Sequence, residues 1–274
     1  MKAVEILYED PAVMVVVKPA GMPSQPERST AMDMVSYLKN LLAVRDHVKN
    51  PYISVVHRLD RPVGGVMVYA KTKAAAAALS AQISGRTFGK EYLAVVWGTM
   101  PEAQGTLEDF LVKDGRTNLS RVVSADAQED RRNGGAAGKG AQDLPLKDAS
   151  FKDAKKAVLE YQVLGFAAGG QSLAARPDCS LLKIRLHTGR HHQIRVQMAH
   201  CGHPIAGDRK YGNSLLGATG SDANVRPMSD PYRELGLFSC SLEFIHPTTK
   251  KRMRYTALPE AAPFLLFDCQ TLTE

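Results

Sequence analysis

One carboxylate, Asp60, stands between Arg58 and Arg61 in the stretch SVVHRLDRPVGGVMVYAKT, residues 54–72, with His57 before it and Gly64 and Gly65 after it. An acid in a basic neighbourhood is either a surface ion pair or an ionised catalytic group that the cations keep charged. The second chemistry-bearing stretch runs from Cys179 to Gly207 and contains no acidic residue. It carries Lys183, Arg185, Arg190 and Arg195, with His187, His191, His192, His200 and His203. Such a run is often only a solvated face. Here its charges are threaded through apolar residues of a strand and a helix, so they belong to packed elements. Gly189 and Arg190 mark the junction of that strand and helix, where free backbone N–H groups favour an anion such as a phosphate.

The histidines raise a metal reading, with His187, His191 and His192 as nitrogen ligands and Asp208 as an oxygen ligand. His187, however, lies on the strand side of Gly189, so its helical spacing to His191 is illusory. No HxxxH or HExxH motif shares a helix with a nearby carboxylate. The expectation is therefore no metal.

The elements that must position these residues follow from periodicity. VEILYE and AVMVVVK read as strands joined by the turn EDPA, and GMPSQP as a loop. TAMDMVSYLKNLLA has helical spacing of Met32, Val35, Leu38 and Leu42, with Thr30 as a candidate N-cap. ISVVH leads as a strand into the aspartate motif, and GGVMVYAK reads as a buried strand because it barely alternates. KAAAAALSAQI is a helix by propensity. KEYLAVVWG, KAVLEYQVLG and CSLLKIRLHTG read as strands, RHHQIRVQMAHCG as a helix closed by Gly202, and FSCSLEFIHP with KRMRYTALP as a closing hairpin. Residues 126–149 lack apolar periodicity and are expected to form a flexible insertion. Many strands and few helices, out of strict alternation, argue for an α+β fold in one domain spanning 1–274.

Bulk composition narrows the partners. The 274 residues carry 35 Lys and Arg against 28 Asp and Glu, a net charge of +7, which favours an anionic partner without choosing among nucleic acid, acidic membrane and phosphorylated metabolite. Four cysteines, Cys179, Cys201, Cys240 and Cys269, form no CxxC pair, which suits a reducing cytoplasm. The N-terminus lacks a signal peptide's continuous apolar core, and no stretch approaches a membrane span.

The motifs HRLDRPVGG, KEYLAVVWG, LHTGRHHQIRVQMAHCGHPIAGDRKYG and LEFIHPTTKKRMRYTALP occur in the order seen in the RluA-type pseudouridine synthases. The opening ILYEDPAVMVVVKPAGMPSQP resembles that family's N-terminal hairpin. The resemblance covers nearly the whole chain outside 126–149. It implies an α+β fold around a curved, mixed, mostly antiparallel sheet with flanking helices and a central catalytic cleft. It further implies isomerisation of uridine to pseudouridine in ribosomal or transfer RNA, with base flipping and without cofactor or metal. Val63 and Gly64 depart from the family's usual Thr-Ser, and His191 stands where Thr is common. Many relatives carry an N-terminal S4 RNA-binding domain, and this chain is expected to act without one, as a cytoplasmic monomer.

The resemblance also assigns roles. Asp60 is the nucleophile or base, Arg195 the cation that keeps it ionised, and Tyr92 the aromatic that stacks on the target base. Arg58 fills the gap left by the flipped base. Lys18 and Arg190, read as basic residues and not from the resemblance, are expected to contact phosphates. Two rival readings remain: a non-catalytic RNA-binding module on the same fold, and a hydrolase of an anionic small molecule, which calls for clustered carboxylates.

Overall fold

The computed structural model describes residues 4–27, 30–123, 153–169, 178–212 and 230–268. The segment 126–149, expected to be an insertion, lies outside them.

The opening hairpin forms as expected from its two strands and the turn between them, β1 (Glu5–Glu9) pairing antiparallel with β2 (Val13–Lys18). β2 also pairs with β4 (Gly64–Ala70), and both strands are buried on both faces. Their period of two divides them between two cores. Met14, Val16, Met67 and Tyr69 join one cluster with Met34, Leu38 and Leu42 of α1 (Met34–Arg45). Val13, Val15, Val66 and Val68 join the other with Ala75 and Leu79 of α2 (Lys73–Ser84). A strand covered by a helix on each side has no wet face, which is why GGVMVYA does not alternate.

Thr30 is not the cap of α1. Asp33 is, its Oδ1 accepting the N–H groups of Val35 and Ser36 at 2.9 and 3.1 Å. A carboxylate satisfying two of the orphan donors of a helix start outcompetes a hydroxyl placed further upstream.

The strand expected at ISVVH is only two residues long, β3 (Ser54–Val55). Its next partner on β4 would be Val68, whose N–H is taken by Nε2 of His57 at 3.2 Å. The imidazole replaces the ladder and lets the chain turn away toward Asp60.

Beyond β4 the sheet continues through β10 (Leu237–Ile245), β5 (Gly89–Trp97), β9 (Cys179–Leu186), β8 (Lys155–Ala167), β6 (Gln104–Asp114) and β7 (Leu119–Val123). The hairpin of β6 and β7 had no counterpart in the sequence reading, because β6 faces solvent along much of its length and offers no apolar run. β11 (Arg252–Thr256) closes the expected hairpin on β10. β10 lies parallel to β4, while its pairings with β5 and β11 are antiparallel. α3 (Gln193–His200) starts later than the motif suggested and packs Ile194 and Met198 into the same core as α1. The result is an α+β fold with a mixed, mostly antiparallel sheet.

Candidate active site

Asp60 sits on the turn between β3 and β4, where the N–H of Val63 donates to its carbonyl at 3.0 Å. The loop after β2 holds this turn from below. Ser24 bonds Leu59 twice, its hydroxyl donating to the carbonyl at 2.8 Å and accepting the N–H at 3.1 Å. Gly21 N–H donates to the Arg61 carbonyl at 2.8 Å, and Arg61 Nε returns a bond to the Gly21 carbonyl at 3.0 Å.

Lys18, expected to contact phosphate, is fully buried at 0% exposure, so no phosphate reaches it. Its ammonium donates to the carbonyls of Pro19, Met22 and Arg61 at 2.9, 2.7 and 3.2 Å. Three carbonyls match three N–H donors, so the side chain ties the loop to the aspartate turn. Burial pushes its pKa down to about 7, with Asp60 and Glu27 opposing.

Gly65 explains the glycine after the aspartate motif. Its φ is +127°, and a Cβ there would lie 2.3 Å from the Ser239 carbonyl oxygen. Only glycine lets β4 approach β10 this closely, and that approach places the Asp60 turn over the centre of the sheet. Ser239 is also the partner of Tyr92 across β10 and β5, so aspartate and tyrosine share one anchor.

The structure brings Asp60, Tyr92 and Arg195 to one cleft of about 1570 Å³. Arg195 is 4% exposed and donates from Nη1 to Asp60 Oδ2 at 3.3 Å. Its fork, however, is not spent on Asp60. Nε and Nη2 each reach Asp208, at 2.7 Å to Oδ2 and Oδ1. Oδ1 of Asp208 also accepts the N–H groups of Lys210 and Tyr211 at 2.9 and 3.3 Å. Asp208, weighed from sequence as a metal ligand, is therefore the arginine's main partner. No cluster of metal-ligating side chains occurs among the described residues.

The electrostatics follow from this division. Burial raises the pKa of Asp60 above the ordinary aspartate value, and Asp208 adds to it, while Arg195 and Lys210 pull it down without cancelling the rise. Tyr92 is 6% exposed, and burial together with Asp60 pushes its pKa up, so it remains a neutral phenol. His192 and His191 are held neutral, their pKa values pushed down to about 2 and about 4 by burial and the surrounding cations. His57 is buried away from solvent, with its pKa pushed to about 3, and serves the backbone of β4.

Arg58 is exposed on the cleft wall, and Arg190 also lines the cleft. Arg190 Nε donates to the Lys156 carbonyl at 2.9 Å, which fixes its stem on β8. At the Gly189 junction, one of the N–H groups expected to favour an anion is already spent. The Arg190 N–H is already taken by Gln193 Oε1 at 3.0 Å, and Thr188 Oγ1 donates to the same oxygen at 2.8 Å. Side-chain cations supply the positive charge instead: the cleft walls carry twelve Lys and Arg against three acids, Glu27, Asp60 and Glu243.

Sequence reasoning weighed Asp208 and His192 only as metal ligands, and passed over Tyr211 and Ser24. The one available signal was an acid following the acid-free segment, in GDRKYG.

The comparisons with known proteins agree with this architecture. A family model for RNA pseudouridylate synthase matches residues 12–200. The ribosomal large subunit pseudouridine synthase D of Xylella fastidiosa is 36% identical over 260 residues, covering 93% of this chain and 66% of the relative. The dual-specificity RNA pseudouridine synthase RluA of Salmonella typhimurium is 33% identical over 208 residues, covering 76% of this chain and 77% of the relative. In fold, human RNA Pseudouridylate Synthase Domain Containing 4 superposes with a TM-score of 0.66 at 22% identity, over 93% of this chain and 89% of that one. With a family match over most of its length and a fold to suit, the chain belongs to the RNA pseudouridylate synthase family.

Proposed function

We propose that the protein isomerises uridine to pseudouridine in RNA, with Asp60 as the reacting carboxylate. The observation that carries this reading is the Asp60 carboxylate presented beside Arg195 and Tyr92 within a cleft whose walls are predominantly cationic. The reaction breaks the N1–C1′ bond, turns the uracil and rejoins it through C5. The base must leave its stack, which costs a few kcal/mol. Arg58 fills the vacated space, and Tyr92 holds the detached uracil by stacking. Arg195 favours the ionised form of Asp60 against the burial that opposes it. Asp60 acts on the sugar, as a nucleophile at C1′ or as a base. No step calls for a metal or cofactor.

Arg190 and its cationic neighbours hold the phosphate backbone, and affinity is mainly electrostatic. Relatives named for the ribosomal large subunit favour ribosomal RNA as the target, with transfer RNA the alternative. The working form is a cytoplasmic monomer.

The test is to map pseudouridines in total RNA with and without the gene, and then to restore it as parent or Asp60→Asn. Asn keeps the shape and removes the charge, so RNA binding persists while the missing pseudouridines stay missing. Restoration by Asp60→Asn would sink the mechanism.

A further inference from the structure

Lys90 stands two residues before Tyr92 on β5. The period of a strand puts both side chains on one face, about 7 Å apart along the chain. Both line the cleft. Glu91, between them, points to the other face, where Lys183 and Arg254 hold its carboxylate at 3.6 and 3.0 Å. The acid nearest to Lys90 in the chain is therefore engaged elsewhere. Among the described residues, the Lys90 ammonium has no acid within ion-pair distance and no hydrogen-bond acceptor.

The other cations of the cleft are placed differently. Arg195 is held by Asp208, and Arg252 by Glu243 at 2.7 Å. Arg61, Arg190 and Lys210 donate to the backbone carbonyls of Gly21, Lys156 and Asn118. Arg58 and Arg86 are exposed and keep their hydration. Lys90 is half-buried, and burial pushes its pKa below the ordinary lysine value. Its ammonium loses water and gains no protein acceptor in return. The junction of β9 and α3 meets it with a glycine, and a Cβ at Gly189 would lie 3.3 Å from Nζ. A side chain there would crowd the amine, so glycine leaves its tip open to the cleft. The charge of Lys90 adds to the burial that holds His57 neutral, so that ring brings no second cation to this place.

Resting on the reading of this cleft as the uridine site, we propose that the Lys90 ammonium is the seat of one backbone phosphate of the bound RNA strand, beside the nucleotide whose base lies on Tyr92. Three N–H donors without an acceptor call for a ligand with several oxygens and a negative charge. A phosphate supplies both, and a charge-assisted hydrogen bond is stronger for an amine already stripped of water. A carbonyl of a base would offer one oxygen and no charge. One same-face step along β5 separates the stacking ring from the cation, so the strand grips base and backbone of one stretch of RNA together.

Lys90→Met keeps the packing of the stem and removes the charge, while Lys90→Arg keeps the charge. The probe is oligouridylate, titrated at several salt concentrations. Lys90→Met should bind about tenfold more weakly at low salt, and its slope of log affinity against log salt should fall by about 0.7, the share of one phosphate on a single strand. Lys90→Arg should keep the slope. Thermal denaturation of the free proteins separates this from a structural role. Removing a desolvated cation that no protein group satisfies should leave the Tm of Lys90→Met at or above that of the parent. An unchanged slope in Lys90→Met overturns the phosphate seat, and a loss of affinity at unchanged slope assigns the amine to a base instead. Lys90→Arg falling as far as Lys90→Met, or a lowered Tm in Lys90→Met, overturns it as well. Should Lys90→Met lose the slope while the parent forms pseudouridine in no RNA, the seat stands and the functional reading falls.

Discussion

Two aspartates share Arg195, and the structure assigns them opposite effects on stability. Asp208 is fully buried and takes both arms of the guanidinium at 2.7 Å. Asp208→Ala leaves a 4% exposed cation without its bidentate partner and frees the N–H groups of Lys210 and Tyr211. Two hydrogen bonds to a charged group are worth about 3–6 kcal/mol together, and breaking a buried pair from one side costs about 3–5 kcal/mol. For a domain of this size that lowers Tm by about 6–20 °C. Asp60 behaves differently because folding raises its pKa. A folded state that favours the proton gains stability as pH falls through the folded pKa and pays for the ionised carboxylate above it. Asp60→Asn removes that charge while Arg195 keeps Asp208, so at neutral pH this variant should be at least as stable as the parent. Thermal denaturation of both variants, of Arg195→Met and of Asp208→Ala/Arg195→Met checks the reasoning. The double variant buries no orphan cation and should lose less than the sum of the singles. Asp208→Ala within about 1 kcal/mol of the parent, or additive losses, would refute the assigned partnership.

The pH dependence of single-turnover rate should show an acid limb above the ordinary aspartate value of 3.8, because burial raises Asp60. Arg195→Met should move it higher still and lower the rate more than Arg195→Lys does, whereas loss of the Asp208 charge should move it lower; titration of each variant decides. Arg190→Ala should weaken RNA binding and reduce the slope of log affinity against log salt by about 0.7–0.9, with the bound-state rate kept, in filter binding across salt. Gly65→Ala meets the Ser239 carbonyl and a positive φ at once, and should cost several kcal/mol in urea unfolding together with loss of activity, since it displaces the Asp60 turn.

Local chemistry made much of the molecule readable in the chain. Strands rich in β-branched and aromatic residues, the Ala-rich α2 and the closing hairpin declare themselves through side-chain spacing and propensity, which act over a few residues. The linked motifs around Asp60, Tyr92 and Arg195 were legible because their order along the chain is distinctive. What stayed hidden depends on contacts between distant segments. Nothing near Lys18 in the chain shows that its ammonium will be wrapped by carbonyls from as far as Arg61, so a basic residue in a basic protein reads as a phosphate contact. Arg195 and Asp208 are 13 residues apart, and only the turn after α3 brings the acid back under the guanidinium. The sharing of Asp60 Oδ2 by Arg195 and His192 joins the β3–β4 turn to α3 across more than a hundred residues, and Ser120 adds β7 to the same cluster. Residue type sets which chemistry is available; the packing of the sheet sets which carboxylate is shared and which cation is already spent.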